Sequence, residues 1–288
     1  MTRRTWILAI ALALVAPVHA APKNFIWKAT GKGTVVYLAG SIHMLTPDFY
    51  PLAQIYDDAF KDSDLLVEEI DLGEMTGPTS QLMALQKGML TGGQTLDQVL
   101  TPATLALVKK TVEQLGAPLG ALQQFKPWML AIALEGLELQ KSGFDPQLGI
   151  DMHYYQAAID RGTPVQGLET ADDQISQLDG MSMDQQDRML ATTLKELASE
   201  TANVTKLTAA WKAGDSASLE KIVLGELKAE PVMYQRLLVQ RNRNWIPKLE
   251  ALFARKGHAI VIVGAAHLVG PDGILATLRA KGYTIEQQ

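Results

Sequence analysis

Hydrophobic positions follow two rhythms along this chain. Near both ends, short apolar runs rich in β-branched residues are separated by single helical stretches; through the middle, apolar spacing stays helical for long distances. Residues 25–28 and 34–39 flank a Gly31-Lys32-Gly33 turn and predict a β-hairpin. The second arm, Val35-Val36-Tyr37-Leu38-Ala39, is apolar on both faces, which predicts a central strand. A short helix is expected over 52–61 and a buried strand over 64–71. Helical spacing then runs over 79–142, punctuated by Gly92, Gly93, the Thr101-Pro102 cap pair, Gly116 and Pro127. A helix over 149–161 leads through Gly162 into a strand over 164–168. Further helical stretches are expected over 184–213, capped by Ser182 or Asp184, and over 216–253. A strongly apolar strand over 259–263, a helix over 273–281 and a last strand over 283–286 complete the pattern. This alternation implies an α/β fold: a central mixed, partly parallel sheet built from N- and C-terminal strand segments, with a long helical insertion at about 79–142 and 183–253. No Pro-, Gly- or Ser-rich linker divides it, so residues 21–288 are expected to form a single domain.

The first twenty residues carry a different pattern. Arg3 and Arg4 precede an unbroken apolar run over 6–16, too short to span a bilayer comfortably. Pro17 then breaks the run, and Val18, His19 and Ala20 put small or aliphatic residues where a signal peptidase reads. This predicts a signal peptide over 1–20, cleavage after Ala20 and a periplasmic or secreted mature protein; an uncleaved anchor is the alternative. No later run reaches 18 apolar residues, so no stable membrane span is expected after cleavage.

Composition narrows the chemistry. The chain has 288 residues, 47% hydrophobic and 20% charged, which is globular rather than disordered or fibrous. Its net charge of −5, without basic blocks, argues against nucleic acid as a partner. There is no cysteine, which removes disulfides, thiolate nucleophiles, zinc ribbons and iron–sulfur clusters together. A metal could be held only by histidine, carboxylate or neutral oxygen, and there are five histidines.

Two of those five stand in copies of one motif. Gly40-Ser41-Ile42-His43, followed by Pro47-Asp48, comes after the strand at 35–39. Gly264-Ala265-Ala266-His267, followed by Pro271-Asp272, comes after the strand at 260–263, offset by 224 positions throughout. Ligands of α/β sheets bind beyond the carboxyl ends of strands, and a glycine there lets the backbone turn sharply or approach a ligand. If the two strands are parallel neighbours, about 4.8 Å apart, both imidazoles reach a common point. The bland alternative is two turn glycines with surface histidines. A third ligand would be a carboxylate, and DLLVEEID places Glu68 and Glu69 inside a buried run. Burying a carboxylate unpaired is costly, and successive strand residues face opposite ways, so one of the two is expected to enter the site. His, His and Glu form an open divalent-metal set, able to hold zinc, manganese, cobalt or iron. A solvated acid pair at a strand end is the alternative for the glutamates.

Together with Glu69-Ile70-Asp71, Gly149-Ile150-Asp151, Gly167-Leu168-Glu169-Thr170 and Arg241-Asn242, the two GxxH motifs resemble the TraB/GumN (PrgY) family, across almost the whole mature chain. Animal relatives of that family include the Tiki proteins, membrane-tethered metal-dependent proteases. The resemblance implies a fold akin to the erythromycin-esterase and ChaN haem-binding groups, with His43, Glu69 and His267 at the active centre. On that scaffold His43 and His267 are expected as ligands of a divalent ion (Mn, Co or Zn), or as general acid and base in a metal-free site. Glu69 is expected as a ligand or base, and Arg241, with Asn242 beside it, as partner of a substrate carboxylate or oxyanion; a helix-surface salt bridge is its alternative. Asp151 and Glu169 are expected to orient a histidine, against plainer roles as caps or strand-end acids.

The remaining candidates weigh less. No GxSxG, HExxH, Walker A or GxGxxG occurs, and SxxK at Ser218–Lys221 lacks companion motifs. Ser41 has alanine at its counterpart, Ala265, so the repeat does not require a nucleophilic hydroxyl there. His153 and His258 are expected to be structural. The reading is an exported metal-dependent hydrolase of peptide or small-molecule substrates. Its alternatives are a metal-free His/Glu esterase-like hydrolase and a non-catalytic periplasmic binder of haem or a signalling peptide.

Overall fold

The computed structural model describes residues 23–197 and 200–288. The expected signal peptide, 1–20, lies outside them. Strands β1 (Ile26–Gly31) and β2 (Thr34–Ser41) form the hairpin, closed by a two-residue turn in which Lys32 (φ 51°) and Gly33 (φ 83°) are both left-handed. That pair of positive φ values gives the turn the twist that flanking strands need. Strands β3 (Leu66–Glu68), β4 (Val165–Gly167), β5 (Ala259–Gly264) and β6 (Thr284–Gln287) complete a six-stranded sheet of order β4-β3-β5-β2-β1-β6. Pairing is parallel from β4 to β2 and antiparallel on both sides of β1. The mixed, partly parallel α/β sheet is thus as the pattern implies. Every residue of β5 is buried, which explains its continuous apolar sequence.

Three segments depart from expectation. The strand expected over 64–71 pairs only at Leu66–Glu68, because the chain then turns into the short helix Leu72–Thr76, whose cap is Asp71 accepting from the Gly73 N–H at 2.8 Å. The stretch 216–253 is not one helix. Ser216–Ala229 ends before Pro231, a π-helical segment covers Tyr234–Gln240, and α-helix resumes at Arg241–Leu252. The helix Ala171–Asp179 lies where none was expected, opened by a reciprocal capping box between Thr170 and Asp173.

Apolar side chains gather in two clusters. One covers the sheet and includes Trp27, Leu38, Val261 and Trp245. The other lies within the helical insertion and includes Leu96, Val108, Trp128, Leu134 and Leu190. Trp211, on helix Glu200–Lys212, ties this part of the chain to the sheet: its ring stacks on Tyr56 and its Nε1–H donates to the Gly40 carbonyl at 2.7 Å, at the end of β2. Trp211→Phe keeps the stacking but orphans that buried carbonyl. The expected loss is about 1–3 kcal/mol in urea unfolding, with no change of fold by circular dichroism.

Candidate active site

Pairing of β2 with β5 puts Ser41 beside Gly264 in register, so the two GxxH motifs leave the sheet as neighbours at its carboxyl end. β3 lies on the other side of β5, with Glu68 opposite Ile262, and delivers Glu69 one residue beyond its own end. Three side chains therefore converge over Gly264. A Cβ built there would lie 3.1 Å from Glu69 Oε1, 3.3 Å from His43 Nε2 and 3.7 Å from His267 Cδ2. The glycine keeps open the space on which the three groups close.

Each ring is oriented by its Nδ1. His43 Nδ1 lies 2.8 Å from Asp151 Oδ2, and the other Asp151 oxygen accepts from Ser41 Oγ at 3.0 Å. Asp151 belongs to helix Ile150–Arg161. His267 Nδ1 lies 2.6 Å from Asn242 Oδ1, while the Asn242 amide nitrogen donates to the carbonyls of Asp272 (2.9 Å) and His267 (3.3 Å). With the amide end committed to two carbonyls, Asn242 Oδ1 must be the acceptor, so His267 carries its proton on Nδ1 and presents Nε2 as a lone pair.

Arg241 binds the centre together. Its Nε donates to Glu169 Oε1 at 2.9 Å, and Nη2 lies 2.5 Å from Glu69 Oε2 and 2.7 Å from Glu169 Oε1. Nη1 donates to the Leu237 carbonyl and to His267 Nε2, both at 3.2 Å. Four of the five guanidinium N–H groups make hydrogen bonds within the protein, and Nη2 also pairs with Glu169, so Arg241 is committed chiefly to holding the centre. The alternative of a helix-surface salt bridge is corrected by this geometry, since Arg241 is buried among the groups it pairs with. Glu169 does not orient a histidine; it accepts from Arg241 and, at 3.0 Å, from the Trp245 indole N–H. Of Glu68 and Glu69, it is Glu69 whose carboxylate stands beside His43 and His267, while both Glu68 carboxyl oxygens are shielded.

Environment separates the two histidines. His43 stands on the cavity wall with 59% of its side chain exposed, and the Asp151 carboxylate raises its pKa to about 9. His267 is buried, and desolvation lowers it to about 3. Burial alone would raise Glu69, but His267, the Arg241 guanidinium, His43 and the Gly264 N–H (2.7 Å to Oε1) outweigh it and hold the carboxyl below its ordinary value. Glu68 goes the other way: burial, then the nearby Asp151 charge, push it up to about 9. The Leu72 N–H pulls weakly against that shift, yet neither Glu68 oxygen receives a hydrogen bond of ordinary geometry.

A cavity of about 840 Å³ opens from this centre toward the insertion, where Ile132, Leu139, Leu207 and Val223 face it. Sequence reasoning passed over two contributors. Gln174, on the unexpected helix, donates to Glu69 Oε2 at 3.3 Å, and the Thr170-x-x-Asp173 box was the signal for that helix. Ser41 was set aside as a nucleophile, and its hydroxyl instead holds Asp151. His258 pairs with Asp62 at 2.8 Å and His153 packs between Tyr50 and Tyr154, both away from the centre.

An α/β sheet whose carboxyl end presents two imidazoles and a carboxylate, braced by a buried arginine, defines the class of this protein. The TraB/PrgY/gumN family model matches residues 25–287, and the chain belongs to that family. It is 28% identical over 243 residues to the uncharacterized protein YbaP of Escherichia coli (strain K12), covering 84% of this chain and 87% of that protein, and equally to YbaP of Shigella flexneri. It is 22% identical over 276 residues to an uncharacterized protein of Treponema pallidum (strain Nichols), covering 90% of this chain and 81% of that one. No solved structure matches the chain.

In chelator-treated protein, His43 ring-proton NMR is expected to show a cation still at about pH 8, and Asp151→Asn is expected to return the midpoint toward the ordinary 6.5. Because the folded pKa is the higher one, stability from the His43–Asp151 pair is complete below about 6.5 and lost as pH rises through about 9. An unchanged His43 midpoint in Asp151→Asn would contradict this assignment.

Proposed function

We propose that this protein is a hydrolase acting on peptide-like carbonyl compounds, with His43, Glu69 and His267 as its reacting centre. The observation that carries the reading is their convergence over Gly264, at the mouth of a cavity large enough for a substrate.

The donor chemistry fits a divalent ion. Both histidines turn an Nε2 away from an Nδ1 fixed by an oxygen, the arrangement that metal-bound imidazoles use, and Glu69 Oε1 lies 3.8 Å from His267 Nε2, within the span of two bonds of about 2.1 Å each. Among the described residues no three such side chains already stand at coordinating distance, so loading requires a small closure. His43, Glu69 and His267 would hold the ion, expected as Mn, Co or Zn. When bound, it supplies polarisation of the carbonyl and a water of lowered pKa. The chain's own contribution is positioning: Asp151 and Asn242 fix the two rings, Arg241 keeps Glu69 ionised, and Gly264 preserves the space.

One observation favours a metal-free alternative. Arg241 Nη1 already donates to His267 Nε2, and its charge already neutralises Glu69. In that case His43, the more exposed imidazole with the higher pKa, transfers the proton. Chelator separates the two mechanisms. Protein purified without chelator is expected to carry about one divalent ion per chain, lost in His43→Ala and His267→Ala. Gly264→Ala is the sharper variant: φ at 264 is −47°, so the backbone accepts a side chain and only the space disappears. Cleavage of a peptide library is expected to fall at least about 100-fold in all three and with EDTA. Cleavage that survives EDTA with a bell-shaped pH profile would assign the metal-free mechanism, and no cleavage of any member would refute the hydrolase reading.

Export belongs to the same proposal. No helix of the described residues is long and apolar enough to cross a membrane. Mass spectrometry of the protein from fractionated cells is expected to find a mature N-terminus at Ala21 in the periplasm or medium; a cytoplasmic chain retaining Met1 would contradict it.

A further inference from the structure

Helix Pro127–Lys141 has two apolar faces. Trp128, Ala131 and Leu134 pack into the insertion cluster, while Ile132, Gly136 and Leu139 line the cavity. Ile132 comes four residues before Gly136 and Leu139 three after it, so all three share one face, a turn apart. Between the two aliphatic side chains the wall is bare backbone. A Cβ built on Gly136 meets no described atom within 4 Å, and the residue lies in regular helix, so neither packing nor a left-handed φ calls for glycine there. Glycines nearer the centre have such a cause: a Cβ on Gly40 would strike the Phe25 ring, and one on Gly149 the His43 carbonyl. Glycine inside a helix weakens it more than any residue but proline. Ile132 is also 44% exposed, so its apolar burial is incomplete. A large apolar group seated in this trough takes Ile132 and Leu139 out of water and lies close on the backbone, an approach that glycine permits.

We propose that Gly136 sets the specificity of the site: the trough it floors receives a large apolar side chain, leucine or an aromatic ring, carried by the substrate close to the bond attacked. The trough is continuous with the reacting centre, since His43, Glu69 and His267 line the same cavity of about 840 Å³. A round cavity of that volume is about 12 Å across, or about three residues of extended chain, which places the side chain within about three residues of that bond. Phe144 and Leu207 keep the surrounding wall apolar, so the trough selects for size within apolar groups. This inference rests on the hydrolase reading of the site and adds the side chain that its substrate must carry.

Binding and turnover, measured on the same samples, keep the two apart. N-acetyl-Ala-Ala-Ala-amide and its variants with Leu or Phe at each position in turn are titrated into the full mature protein by calorimetry, with cleavage followed by mass spectrometry. At one position Leu or Phe is expected to bind about tenfold to hundredfold more tightly than Ala. Gly136→Leu fills the trough and is expected to abolish that preference. Gly225→Leu is the matched control: Gly225 also stands inside a long helix, Ser216–Ala229, with no described atom within 4 Å of a Cβ, but it is exposed and does not line the cavity. It is expected to keep the preference. Gly136→Ala is expected to raise the thermal midpoint, as a helix-interior glycine with room for a methyl does. A peptide carrying benzoylphenylalanine at the favoured position is expected to photo-crosslink to the wild-type protein within 132–139, a readout that needs no variant to fold. No size preference at any position, a preference that persists in Gly136→Leu or is lost in Gly225→Leu, a midpoint lowered by Gly136→Ala, or crosslinks that map elsewhere would each overturn the proposal. The preference without any cleavage would sink the hydrolase reading and leave the trough standing; cleavage without the preference would do the reverse.

Discussion

The guanidinium of Arg241 gathers four separate parts of the chain into one centre. Glu69 comes from beyond β3, Glu169 from beyond β4, His267 from beyond β5, and Arg241 itself from the helix that follows the π-helical segment. Two carboxylates so close and so buried would repel each other and resist ionising without a cation between them. Breaking such a buried pair by removing one partner costs about 3–5 kcal/mol, because the other charge is left uncompensated. The geometry of the centre therefore depends on this ion network more than on the sheet alone. The π-helical turn has a physical sense here. An extra residue per turn shifts the register of the following helix, and such insertions recur where side chains must be aimed. Arg241 and Asn242, the first two residues after it, address Glu69, Glu169 and His267.

The two GxxH motifs start alike and end in opposite states. Both glycines finish neighbouring parallel strands, and both histidines have Nδ1 held by an oxygen. Asp151 gives one ring a full negative charge at 2.8 Å, whereas Asn242 gives the other only an amide dipole at 2.6 Å, with the Arg241 cation on its far side. A duplicated backbone thus carries one imidazole that favours its cation and one that is held neutral. Pairs of titratable groups whose environments push them apart are how a site divides acid and base roles. The asymmetry lies in the partners and is absent from the repeat itself.

That division explains what was legible in the sequence. β-Branched runs, turn glycines and the GxxH repeat are local signals, so the hairpin, the central strands and the approximate place of both histidines could be read directly. The repeat could be read because two copies, in register over Gly, His, Pro and Asp, are improbable without a shared environment. The brace could not. Arg241 lies on a stretch whose spacing suits an ordinary amphipathic helix, and its side-chain partners are 26 to 172 positions away. Spacing alone left open which of Glu68 and Glu69 enters the site, because strand alternation sends consecutive residues to opposite faces without saying which face carries the site. The helix carrying Gln174 is only nine residues long and strongly acidic at its start, so its apolar periodicity is weak and its capping box is the better signal.

Two apolar clusters, one on the sheet and one inside the insertion, meet around the cavity, and of its apolar wall Val223 packs on the first. Close-packed cores transmit strain, so a wall built on the same core as the reacting groups could not vary in shape without disturbing them. Here His43, Glu69 and His267 stand on strand ends supported by the sheet cluster, while Ile132 and Leu139 face them from a helix, Pro127–Lys141, that packs through Trp128, Leu130 and Leu134 into the other. Substitutions on that helix can reshape what the cavity admits without moving the braced centre. Glu68 sits on the seam between these regimes. It is fixed by β3 as firmly as Glu69 beside it, yet the brace does not reach it, and burial together with the Asp151 charge favours its neutral form while Arg241 keeps Glu69 ionised.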